Sequence, residues 1–142
     1  MSEPKLQLHA TAPSWLGGRV SIVLVSPTHP GNVGACARAM RVMGLRELIL
    51  VAPADRAILS HPEAVARSSG ATSILEQARV VGSLTEALGP VTLSIAISAE
   101  QREFGPPTLS PDEAAALVGR ELHTAPGHAA ALVFGTERTG LS

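Results

Sequence analysis

The stretch "RVSIVLVSPTHPGNVGACARAMRVMG", Arg19 to Gly44, passes from a continuous apolar run through a Pro- and Gly-marked turn into helical spacing. The run at 19–26 is rich in β-branched residues and shows no polar alternation, the pattern of a strand buried on both faces. After the turn, Val33, Ala37, Met40 and Met43 recur at helical intervals, and Gly44 falls where a helix end takes a left-handed residue. A buried strand followed by a helix of this length is the first half of a parallel crossover, because parallel neighbours cannot be joined by a tight hairpin.

The same alternation runs through the rest of the chain. Further strands are predicted at 47–53 ("ELILVAP"), 78–82 ("ARVVG"), 91–98 ("VTLSIAIS") and 129–135 ("AAALVFG"). Helical segments separate them at 60–70, 83–89 and 110–122. In these, Ser60 and Glu63, Ser83 and Glu86, and Ser110 and Glu113 stand at capping-box spacing, with Pro62 and Pro111 in first turns. Gly89 is placed to close the second of these segments. Five strands and four helical segments predict an α/β domain built on an open parallel sheet with flanking helices, over residues 19–142. Residues 1–18 read as a flexible leader. Such sheets bind ligands at the carboxyl ends of their strands, so the loops after strands one, four and five are where a site is expected. The loop at 99–109, with paired Pro106 and Pro107, is longer than a plain connection and reads as a lid or binding loop.

Composition excludes several function classes. The 142 residues carry a net charge of −1, so the chain is no general polyanion binder, and any RNA contact must come from a local patch. Trp15, Phe104 and Phe134 are its only aromatics, too few for recognition of single strands by base stacking. Cys36 is the single cysteine, which removes internal disulfides and cysteine-cluster metal sites, and its alanine-rich helical context makes it a small core residue. The five histidines show no i,i+4 pair, and no metal is expected. The N-terminus has no apolar signal-peptide core, and no apolar stretch is long enough to span a bilayer; a cytoplasmic protein is the expectation.

Two loops hold the candidate site residues. In the first, Asn32 stands near a helix start, where its side chain can cap an orphan N–H or face a ligand. Gly34 weakens the helix and therefore marks a close approach, of another helix or of a ligand. Arg38, with Arg41 one turn on, is either a solvated charged face or a phosphate contact. In the last loop, "LVFGTERTGLS", Gly135 and Gly140 bracket Glu137 and Arg138, a surface ion pair or part of a ligand crevice. No G-x-G-x-x-G, P-loop or G-x-S-x-G element is present. No nucleophile stands beside a base, so the pattern suits a protein that positions reactants.

These two loops carry a resemblance. "HPGNVGACARAMRVMGL" resembles the N-x-G-x-x-x-R motif of the SpoU/TrmH-type 2′-O-ribose RNA methyltransferases of the SPOUT superfamily. "LVFGTERTGLS" is similar to their F-G-x-E-x-x-G-L motif. The segments "ISAEQR" and "SSGATSILEQARVVGSLTEAL" look most like the TrmJ-like branch, which acts on cytidine and uridine of transfer RNA. The resemblance covers about residues 20–142 in unbroken order. It implies an α/β-knot fold, S-adenosylmethionine as methyl donor, RNA (transfer RNA above all) as partner, and a homodimer. It places Arg38, Asn32 and Glu137 on catalytic positions, and Ser98, Ala99 and Gly135 where the family holds its cofactor. The family's third motif, an I-P strand and an S-L-N helix, is expected beyond Ser142. On that reading residues 1–142 are the front portion of the domain and are expected not to methylate RNA by themselves. The competing expectation is a non-catalytic α/β module that binds nucleotides or RNA.

Overall fold

The computed structural model describes residues 18–97 and 108–136. β1 (Val20–Val25), β2 (Glu47–Val51), β3 (Arg79–Val81), β4 (Leu93–Ile97) and β5 (Ala130–Phe134) form one sheet in the order β3-β2-β1-β5-β4, with every pairing parallel. β1 runs from Val20 beside Ala130 to Leu24 beside Phe134 on one side, and from Ser21 beside Glu47 to Val25 beside Val51 on the other. The last described strand is thus interior, flanked by β1 and β4. Both edges of β5 are therefore paired within the described residues.

The helices are α1 (Pro30–Met43), α2 (Pro62–Ser68), α3 (Thr72–Gln77), α4 (Leu84–Leu88) and α5 (Pro111–Thr124), with a 3-10 turn at Ile58–Ser60. Crossover handedness distributes them. The steps β1 to β2, β2 to β3 and β4 to β5 all move one way across the sheet, and α1, α2, α3 and α5 cover one face. The step β3 to β4 moves the other way, and α4 lies on the opposite face, as right-handed connections require. The larger core joins Ile22, Leu48 and Leu50 of the sheet to Val33, Ala37 and Met40 of α1, Ala64 of α2 and Leu122 of α5. The smaller one joins Val23, Ile49, Val51, Ala131 and Val133 to Ala87 of α4.

Local signals account for most boundaries. Gly44 ends α1 at φ 78° and its N–H reaches the carbonyl of Arg41. Ser110 and Glu113 form the reciprocal capping box of α5, and the hydrogen bonds from Ser110 hold the Glu113 carboxyl below the ordinary range. Ser83 caps α4, whose closing Gly89 stays right-handed. Ser60 does not cap α2: its hydroxyl donates to Ala57 O in the 3-10 turn, and His61 Nδ1 accepts from Glu63 N instead. Pro62 at the first helical position sets this start. The predicted segment 60–70 breaks at Ser69, at φ 54°, and α3 follows without a side-chain cap, so no sequence signal announced it. Met43 leaves the apolar stripe and is 53 % exposed, because ten residues of helix swing it off the line of Val33.

Arg19, read as the first strand residue, precedes β1 and binds the far end of the chain. Its guanidinium donates to Leu122 O at 2.6 Å, Ala125 O at 2.8 Å and His128 O at 3.0 Å, tying the end of α5 to the start of β1.

Candidate functional site

At the carboxyl edge of the sheet, β1 and β5 end side by side, and α1 begins above them. A cleft of about 440 Å³ opens there, lined by Leu24, Pro27, Asn32, Val33, Ala35, Cys36, Phe134 and Gly135. Of the two readings open for Asn32, capping is the one the structure does not show: Asn32 lies in the first turn of α1. The N-cap is His29, in extended conformation and without a side-chain cap bond, and Asn32 N donates to His29 O. Asn32 is exposed there and lines the cleft. Gly135 follows Phe134 directly at the end of β5, so only backbone stands at that point of the lining.

The lining is mostly apolar with a few polar groups, and its volume lies in the range of small-ligand sites. Leu24, Val33 and Phe134 offer apolar walls, and the backbone at Gly135 offers hydrogen-bonding groups. The loop after β1 holds strain beside it. Ser26, at φ 50°, donates its N–H to Val51 O at 2.7 Å, and Ala52 ends β2 at φ 44°. Two non-glycine residues in the left-handed region turn the chain sharply off adjacent strands, at a cost of about 1–2 kcal/mol each.

Sequence reasoning did not place Cys36 here, although its position four residues after Asn32 put both on one helix face. Burial pushes its thiol up to about 11. At neutral pH it is protonated and a poor nucleophile. Alkylation by iodoacetamide at pH 7.5 is expected to run roughly a hundredfold slower than for a free thiol, in step with the lost thiolate. Mass-spectrometric labelling as fast as that of glutathione would contradict this burial.

The structure does not bring Arg38 into this cleft. Arg38 lines a separate groove of about 410 Å³ with Arg41, Val42, Ser68, Ser69, Gly70 and Ala71. Gly34, on the third side of α1, meets α2. A Cβ there would lie 2.2 Å from Ala64 O, so the close approach that it marks is to a helix. Ser98, Ala99 and Glu137, and the loop at 99–109 as far as Pro107, lie outside the described residues, as does the predicted leader apart from Gly18. Among the described residues no group of three or more His, Cys, Asp or Glu is placed to hold a metal, and no helix is long and apolar enough to cross a membrane.

Residues 19–142 match the model of the SpoU rRNA methylase family. The chain belongs to that family. A tRNA (cytidine/uridine/adenosine-2′-O-)-methyltransferase TrmJ from Pseudomonas aeruginosa is 45% identical over 124 residues, 87% of this chain and 46% of that one. The chain thus spans about half the length of the curated relatives it matches. A probable methyltransferase from Bordetella pertussis superposes with a TM-score of 0.84 at 45% identity, over 93% of this chain and 76% of that one. The SpoU methyltransferase AviRb from Streptomyces viridochromogenes, solved in complex with the cofactor AdoMet, shares the fold. It superposes with a TM-score of 0.56 at 21% identity, over 86% of this chain and 44% of that one. In this SpoU-family chain the parallel sheet predicted from sequence is the observed one, and both family motifs begin at its carboxyl edge, after β1 and β5.

Proposed function

We propose that the domain transfers a methyl group from S-adenosylmethionine to a ribose 2′-hydroxyl of RNA, with transfer RNA as the substrate. The observation that carries this reading is the cleft where the two family motifs meet, Asn32 from the first and Gly135 from the second. Its apolar walls and the glycine backbone at the end of β5 suit an adenosine and an amino-acid chain. S-adenosylmethionine supplies, when bound, a methyl group already activated on a sulfonium. The protein's task is then to align donor and hydroxyl and to manage one proton, and positioning alone can lower such a barrier by about 7–11 kcal/mol.

Within this reading Gly135, Ser98 and Ala99 hold the cofactor, and Asn32 and Glu137 shape the crevice. Arg38 binds the phosphate of the reacting nucleotide and steadies the charge that develops on its ribose. A guanidinium carries five N–H donors and no acceptor, so Arg38 acts as a fork of donors and not as the base. A homodimer and a cytoplasmic location, where transfer RNA is matured, complete the reading.

The test is incorporation of labelled methyl groups into an unmodified transfer RNA transcript by full-length protein, followed by digestion to identify a 2′-O-methylated nucleoside. RNA binding with no incorporation would favour the binding-module alternative. Gly135→Val adds a branched side chain to the cleft floor and is expected to weaken cofactor binding at least a hundredfold, about 2.7 kcal/mol, while the fold persists. Unchanged binding by calorimetry would move the cofactor elsewhere.

A further inference from the structure

We propose that the groove beside Arg38 grips a phosphodiester of the RNA strand next to the reacting nucleotide. Arg41 reaches it from α1, and the turn Ser68–Ala71 forms the opposite wall. This extends the reading above from the reacting nucleotide to the path of the strand, and it rests on that reading.

Four observations carry it. The groove is lined by two arginines, Val42, two serines, Gly70 and Ala71, with no acidic side chain among them. In a chain of net charge −1 with one lysine, that is a local concentration of positive charge. Arg38 and Arg41 stand three apart on one helix, about 5–6 Å between Cβ atoms, where like charges destabilise the helix unless something anionic offsets them.

Second, Arg41 is held in place. Its Nη1 donates to Gly70 O across the groove. A guanidinium has five N–H donors, so one bond to a carbonyl orients the group and leaves its others for a ligand. Less rotamer freedom then remains to be lost when an anion binds. Third, Gly70 lets Arg41 come close: a Cβ there would meet Nη1 at the end of that side chain. Fourth, the far wall is shaped by Ser69, at φ 54° and ψ −120°, a strained conformation for a residue with a side chain. The buried Ser68 beside it donates its hydroxyl to Val65 O at 2.7 Å, which pins the turn.

The groove's volume of about 410 Å³ accommodates a phosphodiester with part of its ribose, and Val42, 64 % exposed, offers an apolar surface to the sugar. Because Arg38 lines the same groove, a strand whose reacting ribose is held at Arg38 continues past Arg41. Contacts of this kind set affinity and register and carry no base information.

The experiment measures the affinity of full-length protein for an unmodified transfer RNA transcript across a salt series, with S-adenosylmethionine affinity measured in parallel. Arg41→Gln is expected to weaken RNA binding about tenfold at low salt and to flatten the slope of log Kd against log salt by about 0.7–0.9, one phosphate's worth. Cofactor affinity stays at the parental value. Arg79→Gln removes the same charge at the amino end of the edge strand β3, and leaves both affinities unchanged. Arg41 also touches Gly70, so Ser69→Asp gives a second reading. It keeps that contact and adds a carboxylate to the groove; it too is expected to weaken RNA binding about tenfold. Parental RNA affinity in both groove variants, or an equal loss in Arg79→Gln, overturns the groove and leaves the proposed reaction standing. A parent protein that binds the cofactor but no RNA overturns the groove together with the RNA part of that reaction.

Discussion

Arg38→Lys is expected to lower kcat/KM for methyl transfer about a hundredfold, the scale seen when one oriented donor is lost from a developing charge. Lysine keeps the positive charge and most of the length. It loses the planar fork, which meets two phosphate oxygens at once. Arg38 is exposed on α1 and contributes nothing to either core, so the fold should be indifferent to the change. The cleft that contains Asn32 and Gly135 is lined by other residues, so cofactor affinity should hold as well. The loss therefore belongs to RNA and to the transition state. Steady-state kinetics with RNA and cofactor varied separately check this. Near-parental turnover would remove Arg38 from the chemistry.

Gly34→Ala is expected to destabilise the domain by about 3 kcal/mol or more, at or above the upper end of what overpacking usually costs. In an isolated helix the same change stabilises, by about 1 kcal/mol, because glycine costs more backbone entropy than alanine. The neighbour reverses the sign. The added methyl would stand 2.2 Å from Ala64 O, 2.9 Å from Ala64 C and 3.0 Å from Arg67 Cβ. Two of these atoms are helix backbone and cannot rotate away. Ala64 is itself fully buried, as are Val33 and Ala37 beside Gly34. Relief requires α2 to lift off α1, which opens the larger core. A fall in the thermal midpoint on the order of 10 °C should be seen by circular dichroism. An unchanged or raised midpoint would mean that the two helices are farther apart than described.

Much of the fold was legible because its signals are local. Apolar runs with β-branched residues, Gly44 beyond a periodic stretch, and Ser110, Pro111 and Glu113 in sequence each act within one or two turns of chain. Sheet order is not local: nothing within "AALVF" tells whether the strand will be central or at an edge. The handedness of crossovers reconciles the order only once the faces occupied by α4 and α5 are known. The site was legible in its parts and less so in its assembly. Asn32 and Arg38 share a motif, yet six residues of helix turn through about 600°, leaving them about 120° apart. That arithmetic was available from the spacing alone, and it separates a residue of the cleft from a residue of the groove. Gly34 could have been read either way. Deciding between a helix and a ligand needed the position of Ala64, thirty residues on.

The central place of β5 also bears on how the chain reaches this state. β1 pairs with β2 across a single crossover, but its other edge waits for a partner more than a hundred residues away, Val20 beside Ala130. During synthesis the unit from β1 to β3 can collapse early, because its contacts are close in sequence. Until β5 emerges, however, Val20 to Leu24 present an unsatisfied hydrogen-bonding edge in the middle of the future sheet. Closing so long a loop is slow, and native pairings of high sequence separation set the pace of folding. Arg19 adds a late lock, since its three carbonyl partners, on Leu122, Ala125 and His128, arrive only just ahead of that strand. The half-made sheet is thus the state most exposed to pairing with the wrong chain, and the one a chaperone would have reason to meet.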